Sequence, residues 1–412
     1  MRYNIFKSCT RLLCTVTQQS VPQVCIVGAG PAGFYAAQQL LRDSSNAIIT
    51  ILDKQPVPFG LIRYGVAPDH QDVKNVLNTF HKIATNPRVE FLGNVRLGIN
   101  IDVNYLRNLY DAVLLVCLVL KMNYIINTDI TSYALEALSR SKVRKVTMVG
   151  RRGPLQAAFT TAELREILKL QDCKTFWREQ DFENIQTIVP TLDRPRKRLT
   201  ELMLKSLEES KNDLVHAKEL HQIFLRSPIE FHGSKELQSI KFAINQLRGE
   251  TIQNQVAETT GKFEEIPCSL ALRSIGYKTE QIYKDIPCNA KMGCLENING
   301  KIEERNGERA PLYVAGWAGT GPTGVILTTM RNAFQVARLI YNDLPSNLKG
   351  GNARRELCYE LCNKNSVQIV SYEDWLKIDR VEQQRGRQLG KVREKIVNVH
   401  EMLRIAENRI HR

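Results

Sequence analysis

The sequence predicts an α/β protein in which strands and helices alternate and the strands form a parallel sheet. An apolar strand at 24–27 runs directly into the Gly-rich turn GAGPAG, and a helix is predicted at 34–42. A second apolar strand follows at 47–52. Near the other end of the chain, a strand at 312–317 leads through another Gly-rich turn into a helix at 325–342. Such strand–turn–helix units are typical of dinucleotide-binding folds.

The first turn has the spacing G-x-G-x-x-G, in which each glycine has its own steric purpose. Gly28 allows the tight turn, Gly30 lets the backbone approach a pyrophosphate, and Gly33 lets the helix pack closely on the strand. Asp53 ends the second strand, twenty residues after Gly33, where this fold places a carboxylate that binds ribose hydroxyls. The pattern therefore predicts a dinucleotide site. The simpler alternative is a Gly-rich turn without a ligand.

The other elements follow from hydrophobic periodicity, caps and turn residues. The stretch 54–70, rich in proline and glycine, is predicted to be a structured loop with Phe59, Leu61 and Tyr64 packed inward. Further helices are predicted at 72–84, 104–109, 129–141, 159–170 and 199–209, and further strands at 89–95, 111–116, 143–150, 229–231, 240–247 and 269–274.

The net charge, the apolar runs and the spacing of the cysteines limit the classes of function that are possible. The 412 residues carry a formal net charge of +14, which implies an anionic partner such as a nucleic acid, a membrane or an acidic protein. DNA is disfavoured because no helix-turn-helix, zinc-ligand or aromatic-interleaved pattern is present. No apolar run reaches the ~18–20 residues that a membrane-spanning helix needs. The ten cysteines include no C-x-x-C pair, so neither a zinc site nor a thioredoxin-type motif is indicated.

The N-terminal segment 1–20 contains Arg2, Lys7 and Arg11 among hydroxyl and apolar residues, and no acidic residue precedes Asp43. This composition is typical of an amphipathic mitochondrial presequence, because a secretory signal would need a continuous apolar core. A basic tail without a targeting role is the alternative.

Several longer motifs resemble those of the mitochondrial adrenodoxin reductase family, the ferredoxin–NADP reductases among the glutathione-reductase-like flavoproteins. The matching motifs are GAGPAGFYAAQ, PFGLIRYGVAPDHQDVKNV, VGRRGPLQAAFT, RPRKRLTEL, SIGYK, GPTGVILTTM and GKVREKI. They are distributed over residues 24–116 and 128–403, which is nearly the whole chain.

The resemblance implies two Rossmann-like dinucleotide-binding domains, with an NADP domain inserted in an FAD domain. After a presequence at 1–20, the FAD domain would comprise 21–116 and 268–412, and the NADP domain would occupy 117–267. The implied activity is electron transfer from NADPH through FAD to an acidic 2Fe–2S ferredoxin in the mitochondrial matrix. Nucleic acid is not an expected partner, and peripheral contact with the mitochondrial inner membrane is compatible with the family.

The resemblance also assigns site residues. Its FAD contacts fall on Ala32, Asp53, Leu61, Leu97, Trp317, Gly324, Val325 and Ile326, and the family usually has glutamate at position 53. Arg151 and Arg152 follow a predicted strand, where two guanidinium groups would select a 2′-phosphate. Two arginines on a turn can also be merely solvated, and the resemblance favours the NADP role, with Glu163 as a further contact.

A basic region matches the face on which the family docks an acidic ferredoxin. It comprises Arg165 and the run 194–198, within which Arg194 and Arg198 are the expected contacts. A cationic patch of this kind attracts an acidic carrier and speeds its association. Taken alone, such a run is more often a solvated face.

One departure from the family concerns the start of the NADP domain. The family has a Gly-rich FAD turn after the strand at 111–116, and then a second Gly-rich motif of the form GxGNVA. Here no glycine occurs between Gly98 and Gly150, so the NADP domain is predicted to be truncated at its start. The alternative function is therefore an impaired FAD-binding or ferredoxin-docking variant that lacks a complete NADPH site.

Overall fold

The structure, a computed structural model, describes residues 21–66, 74–116, 130–170, 172–210, 218–275, 286–289, 292–303, 309–321 and 326–407. The predicted presequence and the candidate residues Gly324 and Val325 lie outside these ranges.

Strands and helices alternate along most of the chain. The strands are β1 Gln23–Val27, β2 Ile48–Leu52, β3 Val89–Gly93, β4 Ala112–Leu115, β5 Lys145–Val149, β6 Cys173–Trp177, β7 Lys218–Ile223, β8 Arg226–His232, β9 Ser239–Arg248, β10 Val256–Pro267, β11 Cys288–Asn289, β12 Cys294–Leu295, β13 Leu312–Val314 and β14 Val370–Ser371. The helices are α1 Pro31–Asp43, α2 Gly60–Tyr64, α3 Val76–Ala84, α4 Val103–Leu109, α5 Ser132–Ser139, α6 Thr161–Leu168, α7 Ile185–Ile188, α8 Arg194–Ser210, α9 Trp317–Thr320, α10 Ile326–Asp343, α11 Ala353–Tyr359, α12 Tyr372–Gln388 and α13 Val399–Glu407.

The chain divides into two compact units, and the second is inserted in the first. One unit ends at Ser139 and resumes at Ile275, and the other comprises Arg140–Ser274. The inserted unit begins later than the predicted residue 117. Helix α5 stays with the first unit because the Ser132 amide donates to Glu394 Oε1 at 2.6 Å, and Lys391 Nζ donates to the Ile130 carbonyl at 3.0 Å.

The first unit contains a six-stranded sheet in the order β13-β4-β1-β2-β3-β14. β14 is antiparallel to β3, and the other neighbouring strands are parallel. Val27 pairs with Leu52 and Leu115, and Leu115 pairs with Val314. The carboxyl ends of these four strands therefore meet at one edge, which is where such sheets bind ligands. This confirms the predicted α/β class.

Apolar residues cover both faces of this sheet, as expected for parallel strands that read as continuous apolar runs. One face packs against α1, α3, α10 and α12 through residues such as Phe34, Phe80 and Trp375. The other face packs against α4 and α11 through Leu106 and Leu357. Packing on both faces holds the ends of the central strands in place.

The inserted unit contains a parallel sheet, β5-β7-β6, and an antiparallel sheet, β10-β9-β8. Its core packs α6 and α8 through Leu164, Trp177 and Met203. Within the described ranges β5 pairs on one side only, with β7, and its Val146 and Met148 side chains are 51% and 39% exposed. An apolar edge strand of this kind is unusual, because exposed edges are normally charged or covered.

Two strand predictions need correction. The strand predicted at 269–274 is wrong: β10 ends at Pro267, and Leu272 is 80% exposed in irregular backbone. Apolar side chains do not maintain a strand when no neighbouring strand supplies hydrogen bonds. The strand predicted at 312–317 ends at Val314, because Gly316 has a φ of 61° and α9 follows it.

Two further predictions differ in detail. The helix predicted from residue 199 begins at Arg194, so the basic run forms its first turn, where Pro195 is tolerated. The stretch predicted as a loop contains α2, which buries Ile62 and Arg63. Phe59 is buried as predicted, whereas Leu61 is only half-buried, because a helical turn points a different set of side chains inward.

None of the described helices combines the length and the apolar character that a bilayer crossing requires.

Candidate functional site

The first Gly-rich turn joins β1 to α1, and its glycines differ in how tightly the protein surrounds them. Gly28 has a φ of 120° and donates its N–H to the Leu52 carbonyl at 2.7 Å. A Cβ at Gly33 would lie 2.1 Å from the Gly28 carbonyl oxygen, so only glycine fits there. A Cβ at Gly30 would meet no protein atom within 4 Å. The turn therefore leaves open space above Gly30.

Asp53 follows β2 and closes this turn. Its Oδ2 accepts the Ala29 N–H at 2.8 Å, and its Oδ1 accepts the Gln55 N–H at 2.8 Å. Burial raises the pKa of the Asp53 carboxyl, and these two N–H donors partly offset the rise. Each carboxylate oxygen can still accept a further hydrogen bond. Asp53 thus holds the turn, a role that the sequence analysis did not assign to it.

The second Gly-rich turn contacts the first. A Cβ at Gly316 would lie 2.7 Å from the Ala32 Cβ, which requires glycine at this contact. The Gly316 N–H donates to Asn332 Oδ1 at 2.7 Å, and Asn297 Nδ2 donates to the Gly319 carbonyl at 3.0 Å. The sequence predicts neither asparagine, because amide side chains that cap turns leave no distinctive spacing.

The remaining predicted FAD contacts differ in how close they lie to these two turns and in how deeply they are buried. Trp317 begins α9 and is half-buried, and Ile326 begins α10. Leu61 lies on α2, which is attached to the first turn through the hydrogen bond from the Phe59 N–H to the Ala29 carbonyl at 2.8 Å. Leu97 is only 7% exposed and packs in the apolar core. Its side chain is therefore directed into the protein interior, and only its backbone remains for a ligand.

A buried ion pair anchors α2 to the C-terminal part of the same unit. Arg63 donates to the two carboxylate oxygens of Glu382 at 2.5 and 2.7 Å, and Glu382 is fully buried. The Arg63 guanidinium lies 4.7 Å from the Trp375 ring centroid. Burial lowers the pKa of Arg63, but Tyr64 and Glu382 together raise it above its ordinary value. The pair joins residues 319 positions apart, which is why the sequence did not reveal it.

In the inserted unit, Arg151 and Arg152 form the turn that follows β5. The turn is attached to the end of β7 and to the link between β7 and β8. The Gly150 N–H donates to the Ile223 carbonyl at 2.8 Å, and the Leu225 N–H donates to the Arg152 carbonyl at 3.1 Å. Both arginine side chains are exposed. This arrangement presents two adjacent cations to solvent on a firmly held backbone.

Glu163, the predicted NADP contact, has a structural partner in Thr160. Its Oε2 accepts the Thr160 N–H at 2.6 Å, and Thr160 Oγ1 accepts the Glu163 N–H at 3.2 Å. This capping box stabilises the start of α6. The T-x-x-E spacing would have predicted it.

The candidate docking residues Arg165, Arg194 and Arg198 are all exposed. Arg194 and Arg198 are four residues apart on α8, so they share one face of that helix. Leu199 and Met203 bury the opposite side of α8. The structure therefore presents Arg194 and Arg198 together, and it places Arg165 on α6.

Comparison with known proteins agrees with this architecture. A family model described as an NAD(P)-binding Rossmann-like domain matches residues 26–92. The mitochondrial NADPH:adrenodoxin oxidoreductase of Drosophila melanogaster is 39% identical, over 98% of this chain and 98% of its own. The human protein of the same name is 36% identical, over 94% and 93%. The solved structure of Mycobacterium tuberculosis FprA in complex with NADPH matches with a TM-score of 0.84 and 26% identity, over 94% of this chain and 100% of that chain.

The length of the alignment with the Drosophila protein is consistent with the predicted truncation. The alignment with the Drosophila protein extends over 469 residues, which exceeds the 412 residues of this chain. That relative therefore has residues at many positions where this chain has none.

Proposed function

Because this chain belongs to the mitochondrial NADPH:adrenodoxin oxidoreductase family, we propose that it passes electrons from NADPH through FAD to an acidic 2Fe–2S ferredoxin in the mitochondrial matrix. It is an oxidoreductase with FAD and NADP(H) as cofactors. A purely FAD-binding or ferredoxin-docking protein is not favoured as the alternative, since relatives along nearly the whole chain carry an oxidoreductase name. The missing Gly-rich motif is expected to lower the rate of flavin reduction and not to abolish the activity. Peripheral contact with the inner membrane remains a prediction.

The main support for an FAD site in the first unit is the open space above Gly30. Gly33 and Gly316 have no room for a side chain because protein atoms occupy that space, whereas Gly30 has room that no protein atom uses. A pyrophosphate there would accept hydrogen bonds from backbone N–H groups at the start of α1. It would also lie at the positive end of the α1 helix dipole. Bound FAD would supply the conversion between hydride and single-electron transfer. The residues of the two Gly-rich turns would hold and orient it.

The proposed NADPH contact is tested by changing both Arg151 and Arg152 to alanine. Affinity for NADPH should fall at least about tenfold relative to NADH, because a charge-assisted hydrogen bond contributes about 1.5–3 kcal/mol. Equilibrium binding of both nucleotides measures this. The matched control, Lys142→Ala with Arg144→Ala, removes two exposed cations from the other end of β5 and should leave the preference unchanged. Equal losses for both nucleotides would argue against this role.

The proposed ferredoxin contact is tested by changing Arg194 and Arg198 to glutamate. Electron transfer to the ferredoxin should slow about tenfold or more at low salt, because the patch would repel an acidic partner. Transfer to a small neutral quinone should not change. Lys205→Glu, an exposed position on the same helix, serves as the control. If the quinone and the ferredoxin slowed alike, the two arginines would have a structural role.

A further inference from the structure

The carbonyl of Arg151 has a buried hydrogen-bond partner from a distant strand. Asn245 lies on β9, and its side chain is 6% exposed. Its Nδ2 donates to the Arg151 carbonyl oxygen at 2.9 Å and to Ser227 Oγ at 2.8 Å. Because a carbonyl oxygen can only accept, the amide nitrogen must face Arg151. Both hydrogens of the amide are therefore engaged.

Asn245 also supports Leu225, which lies between β7 and β8 and bonds to Arg152. Its backbone N–H donates to the Leu225 carbonyl at 2.8 Å, and the Leu225 N–H donates to the Arg152 carbonyl at 3.1 Å. Leu225 has a φ of 57°, a left-handed conformation that leucine adopts only when its surroundings impose it. Asn245 thus bonds directly to the backbone of Arg151, and it is linked to the backbone of Arg152 through Leu225.

We propose that Asn245 is a positioning residue for 2′-phosphate recognition, because it fixes the backbone from which Arg151 and Arg152 project. The inference rests on the proposed NADPH contact. Both side chains are exposed, and among the described residues neither guanidinium has a hydrogen bond or ion pair that would hold it. The placement of the two guanidinium groups therefore depends on the backbone, and a turn held in advance loses less entropy when both cations bind one phosphate.

The test measures the binding of adenosine 2′,5′-bisphosphate and of 5′-AMP to the whole protein by ligand-observed NMR. Asn245→Leu has a similar volume but no donor, so affinity for the bisphosphate should fall about tenfold. Affinity for 5′-AMP, which lacks the 2′-phosphate, should change by less than about twofold. Thermal unfolding shows whether the variant is folded. If it is not, Asn245→Ser provides the same test, because its shorter side chain does not reach Arg151.

Ser227→Ala is the matched control, because it removes the other acceptor of the same amide and leaves the bond to Arg151 intact. It should bind both nucleotides normally. Equal losses for the two nucleotides, or a control loss as large as that of Asn245→Leu, would overturn the inference. If Asn245→Leu bound normally while the double arginine variant lost the bisphosphate, the inference would fail and the arginine role would stand. If the double arginine variant kept its preference for the bisphosphate over 5′-AMP, both the arginine role and the Asn245 inference would fail.

Discussion

A Gly30→Leu protein is expected to fold and to lose its flavin, whereas Gly33→Ala is expected to damage the fold itself. Gly30 has a φ of −86°, which any residue can adopt, and its missing Cβ would contact no protein atom. A leucine there would fill the space that the pyrophosphate needs. At Gly33 even a methyl group would lie 2.1 Å from a backbone carbonyl oxygen, so α1 would have to move away from β1.

Flavin absorbance per protein and thermal unfolding together separate the two effects. Gly30→Leu should retain the unfolding temperature of the apoprotein and less than about a tenth of the flavin. Gly33→Ala should lower the free energy of unfolding by about 3 kcal/mol, the upper end of the usual cost of overpacking, since the clashing backbone cannot relax easily. Gly30→Ala is the graded control and should be as stable as the unchanged apoprotein. Full flavin content in Gly30→Leu would show that the cofactor does not approach this turn.

The first βαβ unit could be predicted closely because its signals are local. The strand, the three glycines and Asp53 lie within thirty residues of each other, and hydrophobic periodicity is reliable over such distances. β6, β7 and β10 were missed because many of their residues are polar or exposed, so alternation and burial give little signal. Their strand character comes from hydrogen bonds to neighbours far along the chain.

The candidate site could be predicted only as far as the residues of its motifs. Gly28, Gly33 and Arg151 belong to recognisable motifs, but the residues that hold these turns do not. Asn245 is 94 positions from Arg151, and Asn332 reaches Gly316 from within a helix. Such partners are determined by tertiary packing rather than by spacing, and a single sequence therefore contains no pattern that reveals them.

Reduction of the flavin by NADPH is expected to be at least about a hundredfold slower in this chain than in a relative with a second Gly-rich motif. Orientation of the two reacting groups contributes several kcal/mol to such reactions. Arg151 and Arg152 can hold one phosphate, but no glycine between Gly98 and Gly150 lets backbone approach the pyrophosphate. Among the described residues β5 has a partner on one side only, and its free edge, with Val146 half-exposed, is where a further parallel strand would fit.

Anaerobic stopped-flow measurement of flavin bleaching at saturating NADPH measures this difference. Dithionite, which needs no nucleotide site, should reduce both proteins at similar rates and so controls for flavin occupancy. Inserting the corresponding segment of the Drosophila relative between Val116 and Thr128 should raise the NADPH rate toward that of the relative and leave the dithionite rate unchanged. If this chain, without the insertion, reduced its flavin as fast as the relative does, the second Gly-rich motif would not be needed to place the nicotinamide.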